Sequence, residues 1–138
     1  MSARTVLLVE DNEGDVRLTR EALREADVNV ELIVARDGEE ALAFLRGESA
    51  VRPAIVLLDL NLPKMDGLEV LEEIKGDPAL RHTPVIMLTT SSSSRDVLAC
   101  YERGVNCYVV KPLELDEFTA LVQAINRFWL GVVELPPE

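Results

Sequence analysis

The sequence is poor in positive charge. Its 138 residues include 14 Lys and Arg against 25 Asp and Glu, which leaves a formal net charge of −11. No stretch of five or more consecutive basic residues occurs. Because the phosphate backbone of a nucleic acid is bound by clustered cations, we expect no nucleic-acid partner.

Long apolar runs and cysteine are also scarce. Apolar stretches such as 55–58 are far too short to span a bilayer. Residues 2–5 lead straight into an apolar strand and leave no room for a signal peptide. The two cysteines, Cys100 and Cys107, fit no metal-ligand spacing and are expected to be buried thiols. We therefore expect a cytoplasmic protein with no membrane partner.

Aromatic residues make up only 4% of the chain, whereas 48% of it is hydrophobic, which favours a core of Leu, Val, Ile and Ala. The length suits one domain. Apolar runs predict five strands, at residues 5–9, 30–35, 54–58, 84–88 and 107–110. Strands that are apolar throughout are typical of parallel sheets buried on both faces. The sequence therefore predicts an α/β fold with a doubly wound, five-stranded parallel sheet.

Each predicted strand is followed by a segment with helical spacing of its apolar residues. Asp37 and Glu40 resemble a capping box at the start of the second helix. The last helix is predicted to run from about 115 to 129. The fourth helix is predicted to begin at a Ser94 cap and to bury three side chains: Val97, Leu98 and Tyr101.

Polar side chains stand just past the predicted strands, where ligands bind in parallel sheets. They are three carboxylates, a hydroxyl and an ammonium: Glu10, Asp11, Asp59, Thr89 and Lys111. Clustered carboxylates repel one another, so a divalent cation is their natural counter-ion. Hard oxygen ligands favour Mg²⁺. The sequence therefore predicts a magnesium site at one edge of the sheet.

A carboxylate within such a set can also act as a nucleophile. It can attack phosphorus and form an aspartyl phosphate, whose oxygens then need positive or hydrogen-bonding partners. Asp59 is the central carboxylate of the set, and Lys111 and Thr89 can each supply one contact. The pattern predicts Asp59 as a phosphoryl acceptor.

These residues lie in motifs that resemble the receiver domain of two-component response regulators. The resemblance covers nearly the whole chain and rests on VLLVEDNEGD, ARDGEEAL, IVLLDLNLPKMDGLEVL, TPVIMLTTS and GVNCYVVKP, in the order and spacing of the family. It implies a flavodoxin-like (βα)5 fold with strand order 2-1-3-4-5, and a receiver domain at residues 1–127. It further implies a signalling protein, not an enzyme, that takes a phosphoryl group from a sensor histidine kinase and then changes its protein-binding face toward a downstream protein.

The resemblance also implies which residues hold the metal. Direct Mg²⁺ ligands would be Asp11, Asp59 and the backbone carbonyl of Asn61. Glu10 would act mostly through a bound water. The structural alternative is that Glu10 and Asp11 cap the first helix.

Other residues are implied to bind the phosphoryl group or to respond to it. Thr89 would be the switch hydroxyl, Lys111 the phosphate-binding lysine, and Tyr108 the aromatic residue whose rotation reports phosphorylation. Asn61 and Ser91 would tune the lifetime of the phosphoryl group by admitting or excluding water. The peptide bond after Lys111 is implied to be cis. Tyr108 has a structural alternative, since aromatic residues on strands usually fill core space.

The end of the chain carries a narrower resemblance. GVNCYVVKPLELDEF followed by FWLGVVELP is similar to the single-domain regulators that serve phytochrome histidine kinases in cyanobacteria and other bacteria. This resemblance implies that the kinase partner is a bacteriophytochrome.

Residues 128–138 form an apolar extension beyond the predicted receiver domain. Apolar residues left exposed at a terminus usually mark an interface. We therefore expect a homodimer in which this stretch covers the face of helix four, strand five and helix five. The predicted dimer contacts are Phe128, Trp129, Leu130, Val132 and Val133. The alternative is that they pack back on the same molecule.

Two other functions are less favoured by the sequence. Phosphatases of the haloacid-dehalogenase type use Asp-x-Asp with the second Asp as general acid, whereas Asn61 stands at that position here. A receiver that never takes phosphate could act as a constitutive binding module, but the complete set of strand-end residues argues against it. The glycine motifs of nucleotide-binding enzymes are absent, and the single histidine, His82, is expected to be solvated.

Overall fold

Five strands alternate with five helices in the part of the chain that the structure describes. The computed structural model describes residues 4–25, 29–47 and 51–137. The strands are β1 (Arg4–Val9), β2 (Val30–Ala35), β3 (Ile55–Leu58), β4 (Val85–Thr89) and β5 (Cys107–Val110). The helices are α1 (Glu13–Arg24), α2 (Gly38–Arg46), α3 (Gly67–Gly76), α4 (Ser94–Glu102) and α5 (Leu115–Arg127), followed by a π-helical turn (Phe128–Val132). All five predicted strands are confirmed, with ends shifted by at most one residue.

The strands form one parallel sheet in the order β2-β1-β3-β4-β5. This is the predicted 2-1-3-4-5 order of a doubly wound, flavodoxin-like fold. The order reverses direction between β1 and β3, the point at which open parallel sheets bind their ligands. Within the described ranges, no helix has the length and apolar character that crossing a membrane requires.

Two apolar cores lie on opposite faces of the sheet. In β3, Val56 and Leu58 face one core together with residues of α2 and α3, whereas Ile55 and Leu57 face the other together with residues of α1 and α5. All four side chains are at most 1% exposed. Because both faces are covered, the strand is apolar at every position, as its sequence predicted.

Polar side chains cap the starts of α1 to α4. Asn12, Asp37, Asp66 and Ser93 each accept a hydrogen bond from the backbone N–H three residues ahead. The predicted cap at Asp37 is confirmed by its bond from Glu40 N. The prediction of a Ser94 cap is wrong, because the cap is Ser93 and Ser94 is the first helical residue.

The predicted orientation of α4 is wrong as well. Leu98 and Tyr101 are 60% and 51% exposed, Val97 is half-buried, and Cys100 is the buried side chain of this helix. A helical spacing of apolar residues defines a stripe on the helix, but the packing of α4 against the sheet decides which stripe turns inward. Here the small Cys100 side chain lies against the core, and the larger apolar side chains face solvent.

The C-terminal residues pack partly on their own chain. The α-helix ends at Arg127, and the following turn buries Leu130, which joins the core beneath α1 and α5. Trp129 and Leu135 pack against the same core, whereas Phe128 and Val132 are 53% and 71% exposed. Leu130 thus faces its own molecule and is not exposed as a dimer contact would be. Whether the exposed members form a dimer contact stays a prediction.

Candidate functional site

Four of the predicted site residues come together at the carboxyl edge of the sheet. Glu10 follows β1, Asp59 follows β3, Thr89 ends β4 and Lys111 follows β5. Each is less than 9% exposed. Buried polar and charged groups are costly unless they are paired, so four of them at one edge indicate a functional cluster.

The carboxylates of this cluster are close enough to share a cation. Glu10, Asp11 and Asp59 offer oxygen atoms that all lie within 4.8 Å of one another. Three anionic oxygens at this spacing repel one another without a counter-ion, and hard oxygen donors suit divalent cations such as Mg²⁺ or Mn²⁺. Asn61 lies beside them, since its backbone N–H donates to Asp59 Oδ1 at 3.2 Å.

The ammonium of Lys111 is held by three carboxylates. Its Nζ lies 2.5 Å from Glu10 Oε1, 2.9 Å from Asp15 Oδ2 and 3.4 Å from Asp59 Oδ2. Burial of the ammonium lowers the pKa of Lys111, but the hydrogen bonds to Glu10 and Asp15 and the charges of Glu10 and Asp59 together outweigh burial and leave the pKa above its ordinary value. Lys111 is therefore a fixed positive charge beside Asp59.

The pKa of Glu10 is raised as well, and for a carboxyl group this favours the neutral form. Burial raises the pKa of its carboxyl group from 4.5 to about 7, and the nearby charge of Lys111 offsets only part of that rise. Its second oxygen accepts the backbone N–H of Asn12 at 3.2 Å. Glu10 thus exchanges its proton in the physiological range when no cation is bound.

A close backbone approach fixes the loop that carries Asp59. Gly67, the first residue of α3, donates its N–H to the carbonyl of Leu60 at 2.8 Å. A Cβ atom at Gly67 would lie 2.2 Å from the carbonyl oxygen of Asp59. Only glycine fits this contact, so α3 holds the backbone of the candidate acceptor directly.

The loop after β4 ties together two of the predicted switch residues. Ser91 donates its backbone N–H to Thr89 Oγ1 at 3.4 Å, and its own hydroxyl donates to Asp96 Oδ2 at 2.5 Å. The half-buried Tyr108 donates its hydroxyl to the carbonyl of Ser91 at 2.8 Å. A displacement of Thr89 would therefore shift the loop at Ser91 and change the hydrogen bond that Tyr108 donates to it.

Asp15 is the site residue that sequence reasoning missed. It lies on the first turn of α1 and not at a strand end, yet its carboxylate contacts Lys111. The available signal was its place in the stretch EDNEGD, where a helix beginning after Asn12 returns Asp15 toward the edge of the sheet. Acidic residues of the first helical turns, like those at the strand ends, are therefore candidates for the site at this edge.

Three further predictions concern the peptide bond after Lys111, the single histidine and the two cysteines. The peptide bond after Lys111 is trans, since no cis bond occurs in the part of the chain that the structure describes. The cis prediction is therefore wrong, and trans is the isomer that X–Pro bonds ordinarily favour. His82 is exposed as expected. Cys100 and Cys107 are free, and burial raises the pKa of both thiols.

A doubly wound parallel sheet with a buried Asp, Thr and Lys around an acidic cluster defines a receiver domain. The match to known proteins agrees with this class. The family model of the response regulator receiver domain matches residues 6–123. The chain belongs to this family. Receiver domains bind a divalent metal, and response regulators receive phosphoryl groups from sensor histidine kinases. The chain is accordingly a response regulator, a signalling protein.

Individual relatives match along almost their full length. Response regulator Rcp1 of Synechocystis sp. is 49% identical over 137 residues, which cover 96% of this chain and 93% of that protein. The crystal structure of the Mn²⁺-bound form of Rcp1 gives a TM-score of 0.92 over 97% of this chain and 99% of that chain. The phosphorylated cyanobacterial phytochrome response regulator RcpA is 46% identical, with a TM-score of 0.94 over 99% of this chain and 100% of that chain.

Proposed function

We propose that Asp59 is the phosphoryl acceptor of this response regulator. The observation that carries the proposal is the Lys111 ammonium 3.4 Å from Asp59 Oδ2, beside an acidic cluster at the switch point of the sheet. A carboxylate oxygen of Asp59 attacks the phosphorus of a phosphohistidine on the kinase. The new O–P bond forms as the N–P bond breaks, and the histidine nitrogen keeps the electron pair.

The metal in this proposal is Mg²⁺. Asp11, Asp59 and the backbone carbonyl of Asn61 would hold it directly, and Glu10 through a water. The donor set supports this assignment because it consists of oxygens alone, with no sulfur or imidazole in the cluster. When bound, the cation would supply positive charge that stabilises the phosphoryl oxygens. Lys111 supplies the second positive charge from the protein itself.

The output of phosphorylation is a change of surface. Thr89 moves toward the phosphoryl oxygens, and the loop bonds that join Ser91 to Thr89 and Tyr108 transmit that movement. Tyr108 lies on β5 beside α4, whose exposed apolar side chains Leu98 and Tyr101 would contact a downstream protein. The phosphoryl group stabilises a conformation that the free protein already samples.

The relatives and the cysteines support a proposal about the kinase partner and the cellular location. We propose a phytochrome-type histidine kinase as donor, because RcpA is described as a phytochrome response regulator and AtBRR, 46% identical over the whole chain, as a bacteriophytochrome response regulator. Two free thiols agree with the reducing cytoplasm. We also retain a homodimer that uses the exposed side chains of Phe128 and Val132.

The chain is also proposed to assist the loss of its phosphoryl group. Asn61 and Ser91 flank the acceptor region and would admit or exclude the attacking water. The Asn61 side chain is exposed, whereas the Ser91 hydroxyl is already bonded to Asp96. Of the two, Asn61 is therefore the freer to control access of water to the phosphoryl group.

Intact-mass measurement after incubation with Mg²⁺ and acetyl phosphate tests the acceptor. The wild type should gain one phosphate, and Asp59→Asn should gain none. Omission of Mg²⁺, or its replacement by Mn²⁺, tests the metal. Absence of any mass gain in the wild type would instead favour a receiver that acts as a constitutive binding module. Gain in Asp59→Asn equal to the wild type would place the acceptor elsewhere.

A further inference from the structure

Asp15 is fixed on a rigid helix end and faces the functional lysine. Its backbone N–H donates to the Asn12 side chain at 2.9 Å, and its carbonyl accepts the Thr19 hydroxyl at 2.7 Å. Its side chain is 30% exposed, and one carboxylate oxygen lies 2.9 Å from the Lys111 ammonium, whose side chain is 5% exposed. The contact is therefore largely shielded from water. Charged hydrogen bonds are strong in such surroundings.

The three bonds of Lys111 are unequal. An ammonium group has three N–H donors, and here each has one carboxylate acceptor. The bonds to Glu10 and Asp15 are short, and the contact with Asp59 is the longest at 3.4 Å. The two short bonds therefore set the orientation of the ammonium, and the third N–H is left facing the carboxylate of Asp59.

Asp15 differs from Glu10 in one respect that matters for the reaction. Glu10 belongs to the group of carboxylates that can share a cation, and Asp15 does not. A carboxylate that helps to hold a cation attracts the Lys111 ammonium less strongly, because the cation neutralises part of its negative charge. Asp15 is thus the one of the two short-bond partners that is committed to the lysine alone.

We propose that Asp15 is a positioning residue for phosphoryl transfer. It orients the Lys111 ammonium toward the oxygens of the group that is transferred to Asp59. This inference rests on the proposed function of Asp59 as acceptor. It assigns to α1 a part in the chemistry, besides the loops at the ends of the strands.

An ordinary role for Asp15 would be to stabilise the start of α1, since acidic side chains near a helix N-terminus interact favourably with the helix dipole. Glu13 provides the matched control for that role. It lies on the same first turn, pairs with Arg36, and its side chain is 76% exposed. Removing the charge of Glu13 should therefore affect the helix start without disturbing Lys111.

The first experiment compares Asp15→Asn with Glu13→Gln at saturating Mg²⁺. Initial rates of phosphorylation are measured by intact mass over a range of acetyl phosphate concentrations. We expect Asp15→Asn to lower the maximal rate about tenfold, with the half-saturating donor concentration nearly unchanged, because a charged hydrogen bond that orients the ammonium in the transition state is lost. Glu13→Gln should stay within about twofold of the wild type, and Asp15→Glu should restore most of the rate.

The second experiment observes the ammonium itself in the unphosphorylated protein. The chain has three lysines, and both Lys111 and Lys75 have three acceptors, which slows exchange of their protons with water. Nitrogen-15 spectra at low temperature should contain both ammonium resonances in the wild type and in Glu13→Gln. Asp15→Asn should lose the Lys111 resonance and keep that of Lys75, which serves as the internal reference for folding.

The outcomes separate the two proposals. Equal maximal rates in Asp15→Asn and Glu13→Gln overturn the role of Asp15, as does a Lys111 resonance that survives in Asp15→Asn. If the wild type gains no phosphate, the function proposed for Asp59 fails instead. The ammonium spectrum alone then decides whether Asp15 orients Lys111.

Discussion

At the scale of single residues, Glu10 and Lys111 are buried ionisable groups that depend on each other. Water would stabilise both charges better than a protein interior does, so each needs its partner. Burial nevertheless raises the pKa of Glu10 to about 7. Between pH 4.5 and 7 the folded protein therefore binds more protons at Glu10 than the unfolded chain does. The stability that this group contributes to the metal-free protein decreases as the pH rises through 7.

Metal binding should have the opposite dependence on pH. A carboxylate must lose its proton before it can hold a cation, so the affinity for Mg²⁺ should fall as the pH falls through 7. With the pKa of Glu10 at about 7, we expect the affinity to fall about fivefold between pH 7 and 6, and to change little above pH 8. Calorimetric titration with Mg²⁺ at several pH values measures this. In Glu10→Gln the dependence between pH 6 and 8 should vanish, and a similar slope in that variant would contradict the assignment.

Asn126 is a second residue whose burial has a measurable consequence. It is 2% exposed, and in the described part of the chain neither its Nδ2 nor its Oδ1 atom has a hydrogen-bond partner. A buried amide without partners costs about 1–3 kcal/mol. Asn126→Leu, which keeps a similar shape, should raise the free energy of unfolding by an amount of that order in urea denaturation.

Asn106 is the comparison for that substitution. Its Oδ1 accepts hydrogen bonds from the Lys75 ammonium and from the backbone N–H of Val85, each at 2.9 Å. Asn106→Leu should therefore lower the free energy of unfolding. A loss of stability in both variants would mean that the Asn126 amide is satisfied in solution.

At the scale of elements, the start of α3 and the end of β3 form one unit. The backbone of Gly67 touches that of Asp59 and Leu60 so closely that no side chain fits between them. Neither neighbour is the movable end of a flexible side chain, so a Cβ atom would displace the acceptor loop itself. At Gly76, the last residue of the same helix, a Cβ would have no atom within 4 Å apart from its chain neighbours and the backbone of its own helix.

These two glycines give a matched pair of substitutions. Gly67→Ala should destabilise the protein by about 2–3 kcal/mol, as overpacking against a rigid backbone does. It should also slow phosphorylation of Asp59, because the acceptor is displaced. Gly76→Ala should be neutral, or stabilising by up to about 1 kcal/mol, because alanine favours a helix. Denaturant unfolding and the acetyl phosphate assay measure the two effects, and equal stability of the two variants would contradict the close contact at Gly67.

At the scale of the whole molecule, the C-terminal turn divides its apolar side chains between two directions. Leu130 completes the core beneath α1 and α5, whereas Phe128 and Val132 face solvent. Further exposed apolar side chains lie on α4, at the end of β5 and just past it: Leu98, Tyr101, Val110 and Leu113. Apolar surface of this kind is typical of a protein interface.

A homodimer through this surface can be tested with substitutions that spare the core. Phe128→Ser combined with Val132→Ser should weaken self-association at least about tenfold, because apolar area buried between the two copies is lost. Val51→Ser alters a side chain that is also 60% exposed but lies before β3, and should leave association unchanged. Sedimentation velocity measures the dissociation constant with and without phosphorylation. A wild type that remains monomeric at high micromolar concentration in both states would refute the dimer.

The amino-acid sequence by itself determined the class of fold and the strand-end part of the site. Runs such as 55–58 are apolar at every position because helices cover both faces of a parallel sheet. Such a run consists of consecutive residues, so the sequence alone reveals it. Asp59, Thr89 and Lys111 follow from the same rule, since the ends of parallel strands meet at one edge.

Other features were decided only by the tertiary structure. Cys100 faces inward instead of Leu98, and Leu130 is buried although it was predicted as a dimer contact; both outcomes depend on how a helix is rotated against its neighbours. The contact between Asp15 and Lys111 joins residues 96 positions apart, through the angle at which α1 leaves the sheet. Periodicity fixes which side chains share a helical face, but only packing between elements sets where that face points.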